Sequence, residues 1–111
     1  MAVTFETTSP ANLLKAYKKA IDDGHVLTWS YDKDGDFTHT AEQWKYRAWM
    51  RPKIVDGELR FFILKPKDTN ISSEIYAIYH GRLIESFLRH CDTLFTKAEA
   101  SALAALGDRV K

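Results

Sequence analysis

Residues 44–64 constrain this chain more than any other segment. From Trp44 to Val55 the residues alternate. Trp44, Tyr46, Ala48 and Met50 fall on one side, and Lys45, Arg47, Trp49, Arg51 and Lys53 on the other. A period of two belongs to a strand. Asp56-Gly57 follows, a dipeptide suited to a two-residue hairpin turn, and Glu58–Leu64 returns as the partner strand. A hairpin closed there sets Lys53 almost opposite Arg60. The chain is thereby committed to antiparallel sheet, and Pro52 marks the far end of its strand as an edge or a bulge.

The flanking segments supply helices and more strands. Residues 1–8 read as a loose terminus, with Val3 or Phe5 pinned to the body. Ser9-Pro10 opens a helix over 10–23, with Ser9 as N-cap and Pro10 in the first helical position. Leu13, Leu14, Tyr17, Ala20 and Ile21 form its apolar stripe, and Gly24 stops it. His25–Tyr31 is rich in β-branched and aromatic residues and reads as a strand. Asp32–Asp36 is a turn, and 37–40 pair back as a short strand. Thr40-Ala41-Glu42-Gln43 has the shape of a capping box. Ile75–Tyr79 reads as a further strand. From Arg82 the apolar period becomes helical through Leu83, Phe87, Leu88 and Cys91. Thr96-Lys97-Ala98-Glu99 resembles a capping box for a last helix ending at Gly107, and 108–111 read as a frayed tail.

This order predicts one α+β domain spanning residues 1–111. It has an N-terminal helix, an antiparallel meander of four or five strands, and two C-terminal helices packed on one sheet face. A chain of 111 residues with 45% hydrophobic and 28% charged residues can bury one core without staples. No apolar run exceeds five residues, the length of Ile75–Tyr79 and of Ala102–Leu106, so no membrane-spanning helix is expected. The opening residues lack the charged and apolar regions of a signal peptide. Cys91 is the sole cysteine. It excludes an internal disulfide and suits a reducing, cytoplasmic location. The histidines at 25, 39, 80 and 90 form no pair at metal-ligand spacing. Asp32-Lys33-Asp34-Gly35-Asp36 has acids at the first, third and fifth places, as a calcium loop does. Its glycine stands fourth instead of sixth, however, and Gln43 occupies the twelfth place. Neither metal nor cofactor is therefore expected, and no phosphate-loop, dinucleotide or nucleophile-elbow motif occurs.

The net charge of +1 steers the chain toward neither nucleic acid nor membrane. The charge is nevertheless uneven. Residues 44–67 hold Lys45, Arg47, Arg51, Lys53, Arg60, Lys65 and Lys67 against only Asp56 and Glu58. The plainest reading of this strand is a solvated face, with cationic side chains lying over Trp49. Read as functional, Lys45, Arg47, Trp49, Arg51, Lys53, Arg60 and Phe62 form a basic-aromatic face. Such a face suits an acidic surface on another protein, with Trp49 as anchor. A second copy of this chain, joined through an edge strand or an aromatic patch, is the other protein partner to weigh. Nucleic acid ranks second for the same face, because cationic and planar groups can also bind phosphates and stack bases. A small enzyme with its site near His80 and Glu85 ranks third. It requires a deep pocket lined by those groups and neighbouring tyrosines. Cys91 falls on an apolar helical stripe and reads as a buried, inert thiol. Trp44, Tyr46, Phe61, Tyr76 and Tyr79 are too many aromatics for all to be interior, so some should surface.

Overall fold

A computed structural model describes residues 3–111. Its elements run β1 (Val3–Glu6), α1 (Pro10–Asp22), β2 (Trp29–Tyr31), β3 (Phe37–His39), β4 (Trp49–Val55), β5 (Glu58–Leu64), α2 (Ser73–His90) and β6 (Lys97–Ala100). The strands form one antiparallel sheet in the order β2-β3-β4-β5-β1-β6. The fold is thus α+β, with six strands and two helices among the described residues. The Cα radius of gyration is 12.9 Å, close to the roughly 13 Å of one compact unit this long.

The central hairpin follows directly from its sequence. Asp56-Gly57 closes β4 onto β5, with Gly57 at φ +78°, a conformation that glycine adopts without a Cβ clash. In the resulting register Val55 faces Glu58, Lys53 faces Arg60 and Arg51 faces Phe62. Alternation then divides β5 in two. Leu59, Phe61 and Ile63 are buried on the inner face, while Glu58, Arg60, Phe62 and Leu64 lie on the outer face. The short strand at 37–39 exists as β3. It joins the meander through a single pair, Phe37 with Met50.

Both helices pack on the inner face. Tyr17 of α1 stacks on Phe87 of α2, ring centroids 4.0 Å apart, and its hydroxyl hydrogen-bonds Ser86 Oγ at 2.7 Å. Phe87 in turn stacks on Phe5 of β1 and meets Phe61 of β5 edge-on. Phe5, Tyr17, Phe61 and Phe87 are fully buried, each such burial being worth roughly 1.5–3 kcal/mol. These rings hold the two helices and the strands β1 and β5 to one another.

The structure corrects four expectations. First, Ile75–Tyr79 is not a strand. One helix runs over Ser73–His90, and the Ser72 side chain caps it by accepting from the Ile75 N–H at 3.2 Å. Ile75, Tyr79, Leu83 and Phe87 recur every fourth residue and are all buried, which is one continuous helical stripe. Second, no helix begins at Thr96. Residues 97–100 form β6 along β1, and the Thr96 hydroxyl bonds Glu6 Oε1 at 2.7 Å instead of capping a turn. Ala98 faces Phe5 and Ala100 faces Val3, so Lys-Ala-Glu-Ala serves period two as readily as a helix. Third, β4 begins at Trp49, not Trp44, and residues 42–46 are turns. Fourth, the expected Ser9 side-chain cap is not made. The Ser9 N–H instead donates to Thr7 Oγ1 at 3.2 Å.

Both ends of the described chain also join the sheet. Val3–Glu6, read as a loose terminus, pairs on both sides, with β5 and with β6. Residues 108–110 lie beside the last residues of β5. Arg109 N–H donates to Ile63 O at 2.8 Å, and Lys65 N–H to Arg109 O at 2.7 Å. The physical reason is shared. Beyond its hairpin partner, β5 has a second edge of backbone donors and acceptors that must be answered. Two short apolar-containing segments meet that demand.

Candidate interaction face

The outer face of the sheet carries no helix among the described residues. Trp49, Arg51 and Lys53 of β4 and Arg60 and Phe62 of β5 share it, as alternation requires. Lys45 and Arg47 do not belong to the strand. They lie in the loop before β4, where both are exposed. That loop has its own anchor. The fully buried Tyr79 hydroxyl donates to Trp44 O at 2.6 Å and accepts from the Arg47 N–H at 3.1 Å. Tyr46, between these two anchor points, adopts φ +58°. Its ring then lies over Trp49, centroids 6.1 Å apart and planes 26° from parallel. Tyr46 is 60% exposed, so this pair is the aromatic surface of the face.

The charges on the face are largely answered from within. Arg51 makes a two-pronged contact with Asp36, Nε to Oδ1 at 3.0 Å and Nη2 to Oδ2 at 2.8 Å. This pairing holds the Arg51 guanidinium above its ordinary pKa. Arg60 binds Glu58 Oε1 through Nε at 2.8 Å and Nη2 at 2.6 Å. Lys45 reaches Glu42 at 3.2 Å. Lys53 and Arg47 are exposed and in no such pair among the described residues. Phe62 is half-buried because Gly107 sits against its ring. A Cβ built on Gly107 would lie 2.5 Å from two ring carbons.

The acidic turn before β3 has structural work for its carboxylates. Asp32 Oδ1 accepts from the N–H groups of Asp34 and Asp36 at 2.9 and 3.0 Å, and Asp36 holds Arg51. Among the described residues, no group of three or more potential ligands is arranged to hold a metal ion.

His80 and Glu85 do not come together. Five residues along a helix turn the chain by about 500°, which leaves the two side chains about 140° apart. His80 lines an apolar cavity beside Tyr76. Glu85 lies with Arg82 and Arg89 around a separate polar depression next to His39. Burial lowers the pKa of His39, and the Arg82 charge lowers it further. Cys91 is buried at the end of α2, and burial pushes its thiol up to about 11. The aromatics divide as well. Phe61 and Tyr79 are fully buried, whereas Tyr46 surfaces. The cavity beside Tyr76 and His80 escaped the sequence reading because these residues straddled an imagined strand-to-helix junction. On one helix they are four apart and share a face.

No protein-family model, curated protein or solved structure matches this chain. No helix among the described residues is long and apolar enough to cross a membrane.

Proposed function

We propose that this chain is a binding module that engages another protein through the outer face of its sheet. The observation that carries this reading is the one-sided layering. Both helices cover the inner face, while the outer face presents the Tyr46–Trp49 stack beside Lys53 and Arg47. Tyr, Trp and Arg are the residues that most often anchor protein interfaces. Asp36 and Glu58 already neutralise Arg51 and Arg60. The partner therefore needs acids only where Lys53 and Arg47 stand, and its central contact is with the aromatic pair. The same internal pairing counts against nucleic acid, whose binding would draw on many free cations. A reducing cytoplasm, suited to the lone thiol of Cys91, is the location proposed with it.

The test is capture from a lysate of the source cells on immobilised chain, with and without nuclease. A protein retained after nuclease, and lost with both Trp49→Ala and Lys53→Glu, supports the reading. Capture that vanishes with nuclease replaces it with nucleic acid. Retention unchanged in both variants removes the outer face from consideration. If Trp49→Ala abolishes a concentration-dependent rise in sedimentation coefficient, the partner is a second copy of this chain.

A further inference from the structure

Between α2 and residues 100–104 lies a cavity of about 500 Å³, within the size range of small-molecule sites. Its walls are mainly aliphatic, among them Ile71, Ala77, Ile84 and Val110. Leu103 lines it too, yet the residue is 82% exposed, an apolar group left uncovered at the rim. The polar groups are few and ordered. Tyr76 and His80 stack with centroids 3.7 Å apart. The Tyr76 hydroxyl lies 2.8 Å from Ser101 Oγ and donates toward the carbonyls of Leu103 and Ser101, at 3.0 and 3.1 Å. Its capacity is taken.

His80 is engaged on one side only. Nδ1 lies 2.5 Å from Tyr76 O. A carbonyl can only accept, so the proton is on Nδ1 and Nε2 carries a bare lone pair. His80 is 4% exposed, and its Nε2 is buried without a partner among the described residues. A buried acceptor left unanswered is unfavourable and calls for an explanation. Burial also lowers the His80 pKa, which keeps the ring neutral and Nε2 an acceptor at neutral pH. Gly81 supplies an independent sign. Glycine weakens a helix interior relative to alanine, yet Gly81 has no positive φ to justify it, and a Cβ there would meet nothing within 4 Å. Gly81 lines the same cavity, so the missing side chain enlarges the space beside His80.

We propose that this cavity binds a small, largely apolar molecule carrying one hydroxyl or N–H group, which donates to His80 Nε2 while the aliphatic walls take the remainder. This site is separate from the outer sheet face, and neither proposal depends on the other.

Indole and N-methylindole test it, since they differ in the single donor. Each is titrated into the full chain and followed by amide chemical shifts. The expected result is saturable shifts around α2 and residues 100–104, with indole bound about tenfold more tightly, the worth of one buried hydrogen bond. His80→Leu should abolish that preference and leave the weaker binding of both probes. Gly81→Leu should block both, whereas Gly81→Ala, whose methyl fits, should not. Ala104→Leu, from the opposite wall, repeats the block should Gly81→Leu fail to fold. Several results would overturn the proposal. They are the absence of saturable shifts, shifts centred elsewhere, equal affinities in the unaltered chain, and binding indifferent to both leucine variants.

Discussion

Arg51 and Asp36 meet side by side, each guanidinium nitrogen in the pair facing its own carboxylate oxygen at 3.0 and 2.8 Å. The two partners differ in burial. Asp36 is 6% exposed, while the Arg51 side chain is 56% exposed. Removing Arg51 therefore strands a buried carboxylate, and removing Asp36 merely returns an arginine to water. Arg51→Ala is expected to cost about 2 kcal/mol, Asp36→Ala about 1 kcal/mol, and the double variant less than their sum. Urea midpoints of the four proteins check this. Strict additivity would show that the two groups are not coupled.

Gly107 belongs to the sheet face through Phe62. It stands at φ +99°, and an added Cβ would fall 2.5 Å from the Phe62 ring. Both the backbone conformation and the ring contact oppose a side chain. Gly107→Ala should destabilise the fold by about 1–2 kcal/mol. It should also speed amide exchange at Arg109, whose N–H is bonded to Ile63 O, because the segment from Gly107 to Arg109 must lift off the ring. Unchanged exchange at Arg109 would contradict this account.

Alkaline pH should weaken the fold partly through Cys91. Burial raises its thiol from the ordinary 9.0 to about 11 in the folded chain. The unfolded chain thus releases this proton first. The stabilising contribution is fully present below pH 9 and is lost as pH rises toward 11. Tyr17, raised by burial well above its ordinary 10.0, acts in the same direction at higher pH. Between pH 8 and 10 the stability of the unaltered chain should fall more steeply than that of Cys91→Ala. Parallel curves in urea unfolding would show that the thiol does not contribute.

What the sequence made legible, and what it hid, follows from how local each signal was. The β4–β5 hairpin was readable because the turn dipeptide and the alternation agree over neighbouring residues. Helix α1 was readable from Pro10, its apolar stripe and Gly24. The start of α2 was misread because Ile75, Tyr76, Ile78 and Tyr79 are residues that strands favour. The fourfold spacing of Ile75, Tyr79, Leu83 and Phe87 only becomes decisive once taken across the supposed junction. Strand β6 depends on its pairing with β1, almost a full chain length away, and no local residue announces that. On the candidate face, Trp49, Arg51, Lys53, Arg60 and Phe62 were correctly placed together by alternation. Lys45 and Arg47 were not, because the Tyr79 hydroxyl that draws their loop aside comes from a distant helix.

That hydroxyl makes the last prediction. Tyr79 reaches from α2 to the loop at two points, giving its proton to Trp44 O and accepting from the Arg47 N–H. The loop so held turns Tyr46 to φ +58° and lays it over Trp49. Tyr79→Phe preserves the buried ring, which packs edge-on against Trp29, but leaves the Trp44 carbonyl and the Arg47 amide without that partner. The cost should be about 1–3 kcal/mol, that of breaking buried or half-buried hydrogen bonds. The telling measurement is local. Amide exchange at Arg47 should quicken more than that at Phe61, whose ring lies in the core, because the loop can open without the sheet. If the proposed protein interface uses the Tyr46–Trp49 stack, partner affinity should fall in the same variant, although Tyr79 itself is fully buried and cannot touch the partner. An Arg47 amide that exchanges as slowly in Tyr79→Phe as in the unaltered chain would show that the loop is held by other contacts.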